Sequence, residues 1–381
     1  MPPKLLIVAG ESSGELYGSL LAPYLRNNFE LIGIGGKHMT QAGISLIGEI
    51  THSFGTLEVL GHLKKLRKNM TIATKTLRDV SGVILIDFPD FNLRLAKKAK
   101  EYGKKVLYYV SPQIWAWRKK RIEIIKKVVD CMAVVLPFEE EIYKKNSIPV
   151  QFVGHPMLEV MKQELKTNTE DFTIQNKKFL RESFKIKQEN VITLMPGSRP
   201  SEINSTMPLM LQLIDYFDSK KTHFIIPKAP NIKFNEETLR KLTSFGNVTI
   251  FNEKSFTSLA MSDAAVITSG TATLQATLLK VPMVVIYKVN PLSYIIGKML
   301  IRGVKHIALP NVIADFMNEG DIRVTEFIQK LNAEKIAEKI NLLLYNIDYR
   351  MSIINFLDNV RKYFINKTAS DKVAEICKRL F

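Results

Sequence analysis

Cysteine is nearly absent: Cys131 and Cys377 are the only two in 381 residues. Two distant thiols supply neither a disulfide framework nor a zinc-ligand spacing, so a stapled secreted scaffold is excluded and a reducing compartment fits. Cys131 opens the apolar run Cys131-Met132-Ala133-Val134-Val135-Leu136 and reads as a buried thiol. The chain also lacks a stretch of about 18 uncharged apolar residues, which a membrane-spanning helix requires. Its first apolar run, Leu5-Leu6-Ile7-Val8-Ala9, is short and leads straight into a Gly/Ser turn, so it reads as a first β-strand and not a secretory segment. Short-period repeats and low-complexity tracts are missing as well. Tryptophan is scarce, and both copies, Trp115 and Trp117, fall in one segment. Acid is in deficit: 54 Lys and Arg against 37 Asp and Glu give a net charge of +17. Such a surplus favours an anionic partner, whether nucleic acid, a phosphorylated metabolite or an acidic membrane face.

What the chain does have is alternation. Short β-branched runs at 5–9, 31–34, 83–86, 105–110, 132–136 and 151–153 are separated by turns and helical spacing. Runs of this type suit strands buried on both faces of a parallel sheet, and the βα alternation predicts a doubly wound α/β domain. The stretch from about 162 to 190 is polar and breaks the pattern. The alternation then restarts at 191–195, 223–226, 248–251, 264–268 and 283–287, and a helical region from about 333 to 381 ends the chain. The expected organisation is a first Rossmann-like domain at 1–162, a connection at 163–190, a second Rossmann-like domain at 191–345, and C-terminal helices at 346–381 that pack back on the first domain. Two such domains form a cleft, and ligands of these sheets bind beyond the carboxyl ends of strands.

The turns at those ends carry the candidate chemistry. The first strand runs into Gly10-Glu11-Ser12-Ser13-Gly14-Glu15, where Ser12 or Ser13 can cap the next helix. No Gly-Lys-Ser/Thr follows, so this is not a Walker loop. The third strand run ends in Ile86-Asp87-Phe88-Pro89-Asp90-Phe91-Asn92. Asp90 fits a helix cap, which leaves Asp87 as the carboxylate able to accept a proton from an attacking hydroxyl. After the fourth run, Trp115-Ala116-Trp117 precede four basic residues, Arg118 to Arg121; aromatic faces beside cations suit sugars, bases, phosphates or a bilayer interface. The second domain opens with Pro196-Gly197-Ser198-Arg199, where backbone N–H groups, a hydroxyl and a guanidinium can converge on a diphosphate. The turn Ser269-Gly270-Thr271-Ala272-Thr273 leaves another helix start open to phosphate, with Gln275 placed for a ribose hydroxyl. Finally, Leu57, Val59, Leu60, Leu63 and Leu66 lie among Lys64, Lys65, Arg67 and Lys68, a basic amphipathic pattern suited to an anionic bilayer.

Taken in order, Ala9-Gly10-Glu11-Ser12-Ser13-Gly14, Asp87-Phe88-Pro89-Asp90-Phe91-Asn92, Trp115-Ala116-Trp117-Arg118, Gly154-His155-Pro156, Gly197-Ser198-Arg199, Gly270-Thr271-Ala272-Thr273 and Leu309-Pro310-Asn311 resemble the lipid-A-disaccharide synthase family. The resemblance runs from the first strand to about Gln329. It implies a GT-B fold, two Rossmann-like domains facing a cleft, with C-terminal helices. It implies inverting transfer of 2,3-diacylglucosamine from UDP-2,3-diacylglucosamine to the 6-hydroxyl of 2,3-diacylglucosamine 1-phosphate, with Asp87 as the base. It further implies that Glu11, Ser13, Ser198, Arg199, Gly270, Thr271, Ala272, Gln275, Asn311 and Gln329 serve the UDP-sugar, and that Asp90, Trp117 and Arg118 serve the acceptor. No metal or other cofactor is expected. The implied setting is cytoplasmic, peripheral on the anionic inner face of the inner membrane of Gram-negative bacteria, with a homo-oligomer compatible and no nucleic acid. Two positions depart from the family pattern: Gln275 where Glu is common, and Thr325 where Pro is common. The competing readings are another UDP-sugar enzyme of the same architecture (a 2-epimerase or a lipid-linked peptidoglycan precursor transferase) and a non-catalytic basic binding module. The Trp-Ala-Trp-Arg segment speaks against the former, and the missing helix-turn-helix, RNA-binding and finger signatures against the latter.

Overall fold

A computed structural model of the chain describes residues 2–49, 59–167, 174–230, 232–290, 294 and 303–381, with side chains left out at 59–63 and 174. Two parallel sheets organise it. The first contains β1 (Lys4–Ala9), β2 (Glu30–Gly35), β3 (Ser45–Glu49), β4 (Gly82–Ile86), β5 (Lys105–Tyr109), β6 (Cys131–Val134) and β7 (Val150–Phe152), in the order β3-β2-β1-β4-β5-β6-β7. The second contains β8 (Asn190–Met195), β9 (Thr222–Lys228), β10 (Val248–Asn252), β11 (Ala264–Thr268), β12 (Met283–Tyr287) and β13 (Thr325–Ile328), in the order β10-β9-β8-β11-β12-β13. In each sheet the order reverses once, between β1 and β4 and between β8 and β11. These are the topological switch points, where the loops diverge and leave a crevice.

The central strands are apolar because helices cover both of their faces. All five residues of β4 and all six of β8 are buried. The sequence reading passed over β3 and β13 for the same reason in reverse. Both are edge strands of intermediate burial, and Ser-Leu-Ile-Gly-Glu and Thr-Glu-Phe-Ile carry no continuous apolar run.

The chain divides into two compact units, Met1–Glu159 with Asn366–Phe381, and Val160–Ile365. The C-terminal helices therefore do not act as one block. Ile347–Arg361 belongs to the second unit, where it buries Phe356, Leu357 and Val360 and donates from Arg361 Nε to the Leu278 carbonyl at 2.9 Å. Ala369–Leu380 belongs to the first, packed on the helix Ser12–Leu25 and on β5. Gly82 makes room there for the terminal residue, since a Cβ on Gly82 would lie 2.1 Å from the Phe381 ring. The expected connection at 163–190 is also partly built into the second unit. From the helix Ile174–Ser183, Lys177 and Arg181 reach the Asp263 carboxylate at 3.3 and 2.6 Å. That carboxylate also accepts from the Val191 N–H at the start of β8.

Candidate active site

The first switch point places Gly10 and Asp87 side by side, because Ala9 pairs with Ile86 across β1 and β4. A side chain at position 10 would strike the Phe88 ring at 2.1 Å, so glycine is what lets the two turns meet. Asp87 and Phe88 both adopt left-handed backbone angles, φ 48° and 49°, and so does Val110 (φ 66°) at the end of β5. A β-branched residue in that region is a true outlier, and each such residue costs about 1–3 kcal/mol. The conformation is held from several sides. The Asp87 N–H donates to the Tyr109 carbonyl at 2.9 Å, and the Asp87 carbonyl accepts from Tyr108 Oη at 2.6 Å and from Asn92 Nδ2 at 2.8 Å.

Burial pushes the Asp87 carboxyl up to about 6, helped by the Glu11 charge, while the Phe88 N–H works against the rise. The group is ionised near neutral pH yet keeps a strong affinity for a proton, which is what a general base needs. Burial and the Asp87 charge together raise the Tyr17 phenol well above its ordinary value. Tyr17 sits edge-on to His155 at 6.0 Å. Burial holds that imidazole down to about 3, and its Nδ1 accepts from the Met157 N–H at 3.1 Å, so the neutral ring carries its proton on Nε2.

Asp90 is a different kind of carboxylate. The helix Pro89–Glu101 has Phe88, not Asp90, at its N-cap, so the expected cap is corrected. Asp90 lies exposed in the first turn and accepts from Arg118 Nη1 at 3.0 Å and from Arg121 Nη2. Its carboxylate is thus shared by two guanidinium groups. Arg118 also lies 4.6 Å over the Trp117 ring, which is 38% exposed. Trp115 is buried and anchors the segment: its Nε1 donates to Glu139 Oε1 at 3.2 Å. Burial pushes Glu139 up to about 8 against the donors it accepts, so it is mainly protonated near neutral pH. The expected serine cap of the first helix is also absent: Glu11 occupies the N-cap position without a side-chain cap bond, and Ser13 follows within the helix.

At the second switch point Met195 pairs with Ile267, which brings the ends of β8 and β11 together. Arg199 is the N-cap of the helix Pro200–Ile214 and its side chain is largely exposed. Ser198 is exposed too. The backbone N–H groups of Ser198 and Arg199 do not point into open solvent, however. Both donate to Glu202 Oε2, at 3.0 and 3.2 Å. At the end of β11, Gly270 and Thr271 are exposed, and a Cβ on Gly270 would meet nothing within 4 Å. Ala272 and Gln275 lie in the helix Ala272–Leu278. Thr273 Oγ1 bonds the Gly270 carbonyl at 2.8 Å, and the Ser269 hydroxyl bonds the Ile307 carbonyl at 2.8 Å.

Two expected ligand-contact residues make hydrogen bonds inside the protein. Asn311 is fully buried, and its amide bonds both the N–H and the carbonyl of Val324 at 2.9 Å, as well as Glu326 Oε1 at 2.8 Å. Gln329 clamps Val289, accepting from its N–H at 2.8 Å and donating to its carbonyl at 3.0 Å. Both amides thereby hold loops in place. Leu66, an expected membrane contact, is partly buried against the first unit's core. Leu57 and the side chains of Val59, Leu60 and Leu63 lie outside the described residues. Residues the sequence reading missed are Glu139, Glu202 and Glu326. Glu326 accepts from the Ile307 and Ala308 N–H groups at 3.1 and 2.9 Å. A lone Glu is common in any sequence, and only the fold reveals what it holds. Among the described residues no group of three or more His, Cys, Asp or Glu is placed to hold a metal ion.

Comparison with known proteins decides between the readings that share this architecture. The family model described as lipid-A-disaccharide synthetase matches residues 5–372. The chain belongs to that family. A lipid-A-disaccharide synthase from Coxiella burnetii (strain RSA 331 / Henzerling II) is 37% identical over 386 residues, covering 99% of this chain and 98% of the relative. Among solved structures, the calicheamicin glycosyltransferase CalG4 superposes with a TM-score of 0.61 at 11% identity, covering 100% of this chain and 98% of its own. A UDP-N-acetylglucosamine 2-epimerase from Listeria monocytogenes, described as putative, reaches 0.63 at 12% identity, covering 99% and 96%. Transferases and epimerases are thus alike in fold, and the fold is GT-B. It is the family membership that selects the transferase.

Proposed function

We propose that this protein joins two acylated glucosamines by one inverting displacement at the anomeric carbon of UDP-2,3-diacylglucosamine. The 6-hydroxyl of 2,3-diacylglucosamine 1-phosphate is the nucleophile. Its oxygen bonds to the anomeric carbon as the bond from that carbon to the UDP oxygen breaks, its proton passes to Asp87, and the electron pair leaves on UDP. The single observation that carries this is Asp87: a largely buried carboxyl beyond β4, at a switch point, raised to about 6. The first unit then handles the acceptor, with Trp117, Arg118 and Asp90 near its 1-phosphate and sugar. In the second unit, Ser198, Arg199 and the turn at 270–273 stabilise charge on the departing diphosphate. Glu11, next to Gly10, and Ser13, in the first turn of the helix that follows, flank the reacting groups, while Gln275 contacts the ribose.

We further propose that the protein works on the cytoplasmic face of the inner membrane through peripheral contact. The basic surplus and the acylated substrates support this. No helix among the described residues is long and apolar enough to cross a membrane. Purified protein offered both diacyl substrates in detergent micelles should release UDP in step with disaccharide 1-phosphate, and Asp87→Ala should stop transfer while still binding UDP. Transfer at near-normal rate by that variant would remove Asp87 from the role.

A further inference from the structure

The anion seat at the end of β8 already holds an anion, and it is the chain's own. Glu202 Oε2 accepts from the N–H groups of Ser198 and Arg199 at 3.0 and 3.2 Å, and Oε1 lies 3.6 Å from Arg199 Nη1. The turn is shaped around this carboxylate. Gly197 has φ +112°, and a Cβ there would come within 2.6 Å of Glu202 Oε2 and 2.7 Å of Glu202 Cβ. A helix cap explains one of these contacts, that with the N-cap N–H of Arg199. It does not call for the second N–H from Ser198 or for the guanidinium. Those donors are the set that a diphosphate oxygen would use, because carboxylate and phosphate oxygens take the same charge-assisted bonds.

We propose that Glu202 is an internal competitor for the donor's diphosphate. Without nucleotide its carboxylate satisfies the Gly197-Ser198-Arg199 turn and keeps it in the shape that phosphate needs. A bound diphosphate takes over the two N–H groups and the Arg199 guanidinium, and Glu202 gives them up. After transfer the carboxylate reclaims them and so assists release of UDP. No covalent bond changes; one anion replaces another on the same donors. The inference rests on the reading of this turn as the diphosphate seat.

The test is UDP binding by calorimetry to the full chain and to Glu202→Gln. The amide oxygen of Gln still caps the turn, but a neutral acceptor competes less well for N–H groups and guanidinium. When a seat is filled by its own competitor, apparent affinity falls by the fraction that is free, so relief should tighten UDP binding on the order of 10-fold. Inhibition of turnover by added UDP should strengthen with it, and kcat and the donor KM should fall together as release slows. Glu236→Gln, an exposed carboxylate elsewhere in the second unit, controls for net charge and should leave UDP affinity unchanged. Glu202→Asp, too short to span both N–H groups, should also bind UDP more tightly and serves if the Gln variant folds poorly. If wild-type protein binds no UDP, the diphosphate-seat reading fails before this one is reached. If wild type binds UDP and folded Glu202→Gln binds it equally or less tightly, Glu202 is a cap and the competitor role is refuted.

Discussion

Replacing Asp87 by Asn should do two opposite things at once. Asn is the same size, tolerates the left-handed backbone that Asp87 occupies at φ 48°, and cannot take a proton from a hydroxyl. A general base is worth about 10²–10⁴ in rate, so kcat should drop by that factor. Stability should move the other way. The unfolded carboxyl ionises near 3.8 and the folded one only near 6, because burial and the Glu11 charge oppose ionisation. Between those values the folded state holds more protons than the unfolded state, so wild-type stability falls as pH rises through this window and then levels off. At 1.36 kcal/mol per unit, the shift of roughly two units corresponds to about 3 kcal/mol, of which the variant should recover about 1–3 kcal/mol at pH 8. Urea unfolding at pH 4, 6 and 8 should show the two proteins converging at the acid end and the variant ahead at the alkaline end. The wild-type kcat/KM should rise with pH around a midpoint near 6, and the variant should show no such limb. A variant that is both less stable at pH 8 and active within tenfold of wild type would refute the assignment of base and the electrostatics together.

Other residues give sharper contrasts. Asp90→Asn should cost far less activity than Asp87→Asn, because Asp90 is exposed and already shared by Arg118 and Arg121; equal losses in UDP-release assays would move the base to Asp90. Arg199→Ala should lower kcat/KM for the donor by about 10²-fold, the loss of one transition-state donor, as read in steady-state kinetics. Asn311→Ala should destabilise by about 2–4 kcal/mol, because it strands the buried backbone groups of Val324; thermal melting reads this directly. Glu139→Gln should come nearest to wild type in stability below about pH 4.5, where the carboxyl is protonated in both the folded and the unfolded state. Wild-type stability should fall as pH rises from 4.5 through about 8, and the variant's should not, giving an alkaline gap on the order of a few kcal/mol in denaturation curves.

Most of the architecture was legible in the sequence because central parallel strands must be apolar throughout, and their runs mark the sheet almost residue by residue. The edges were not legible, since β3 and β13 are half-covered and carry Ser, Gly, Thr and Glu among few apolar residues. Asp87 could be singled out by its place just beyond an apolar strand. What could not be read was which polar residues the fold uses up. Asn311 and Gln329 look from the sequence like any amide near a loop. Only the loops brought against them, 324–326 and 287–289, show which hydrogen bonds they make within the protein. In the same way, Leu66 fits an amphipathic pattern whichever side faces inward, and only its packing decides.

Around Asp87 three separate signals coincide, and that is why the residue carries more weight than its position alone. The strand order reverses there, which opens the crevice. The backbone is strained at Asp87, Phe88 and Val110, and Tyr108, Tyr109 and Asn92 supply the hydrogen bonds that hold Asp87 in place. The carboxyl is raised toward neutrality by burial. A purely structural turn would gain from relaxing any of these. Asn or Gly at 87 suits the left-handed angle better than Asp, and a neutral side chain avoids the cost of charge in a buried place. Strain and desolvation both lower stability, and a carboxylate aimed out of a rigid sheet end is what the fold obtains in exchange. At the other switch point the same logic produces the opposite arrangement. There Arg199 is exposed and the turn's N–H groups are satisfied by Glu202, so the second unit pairs its carboxylate with donors, whereas the first holds one charge where it is hardest to keep.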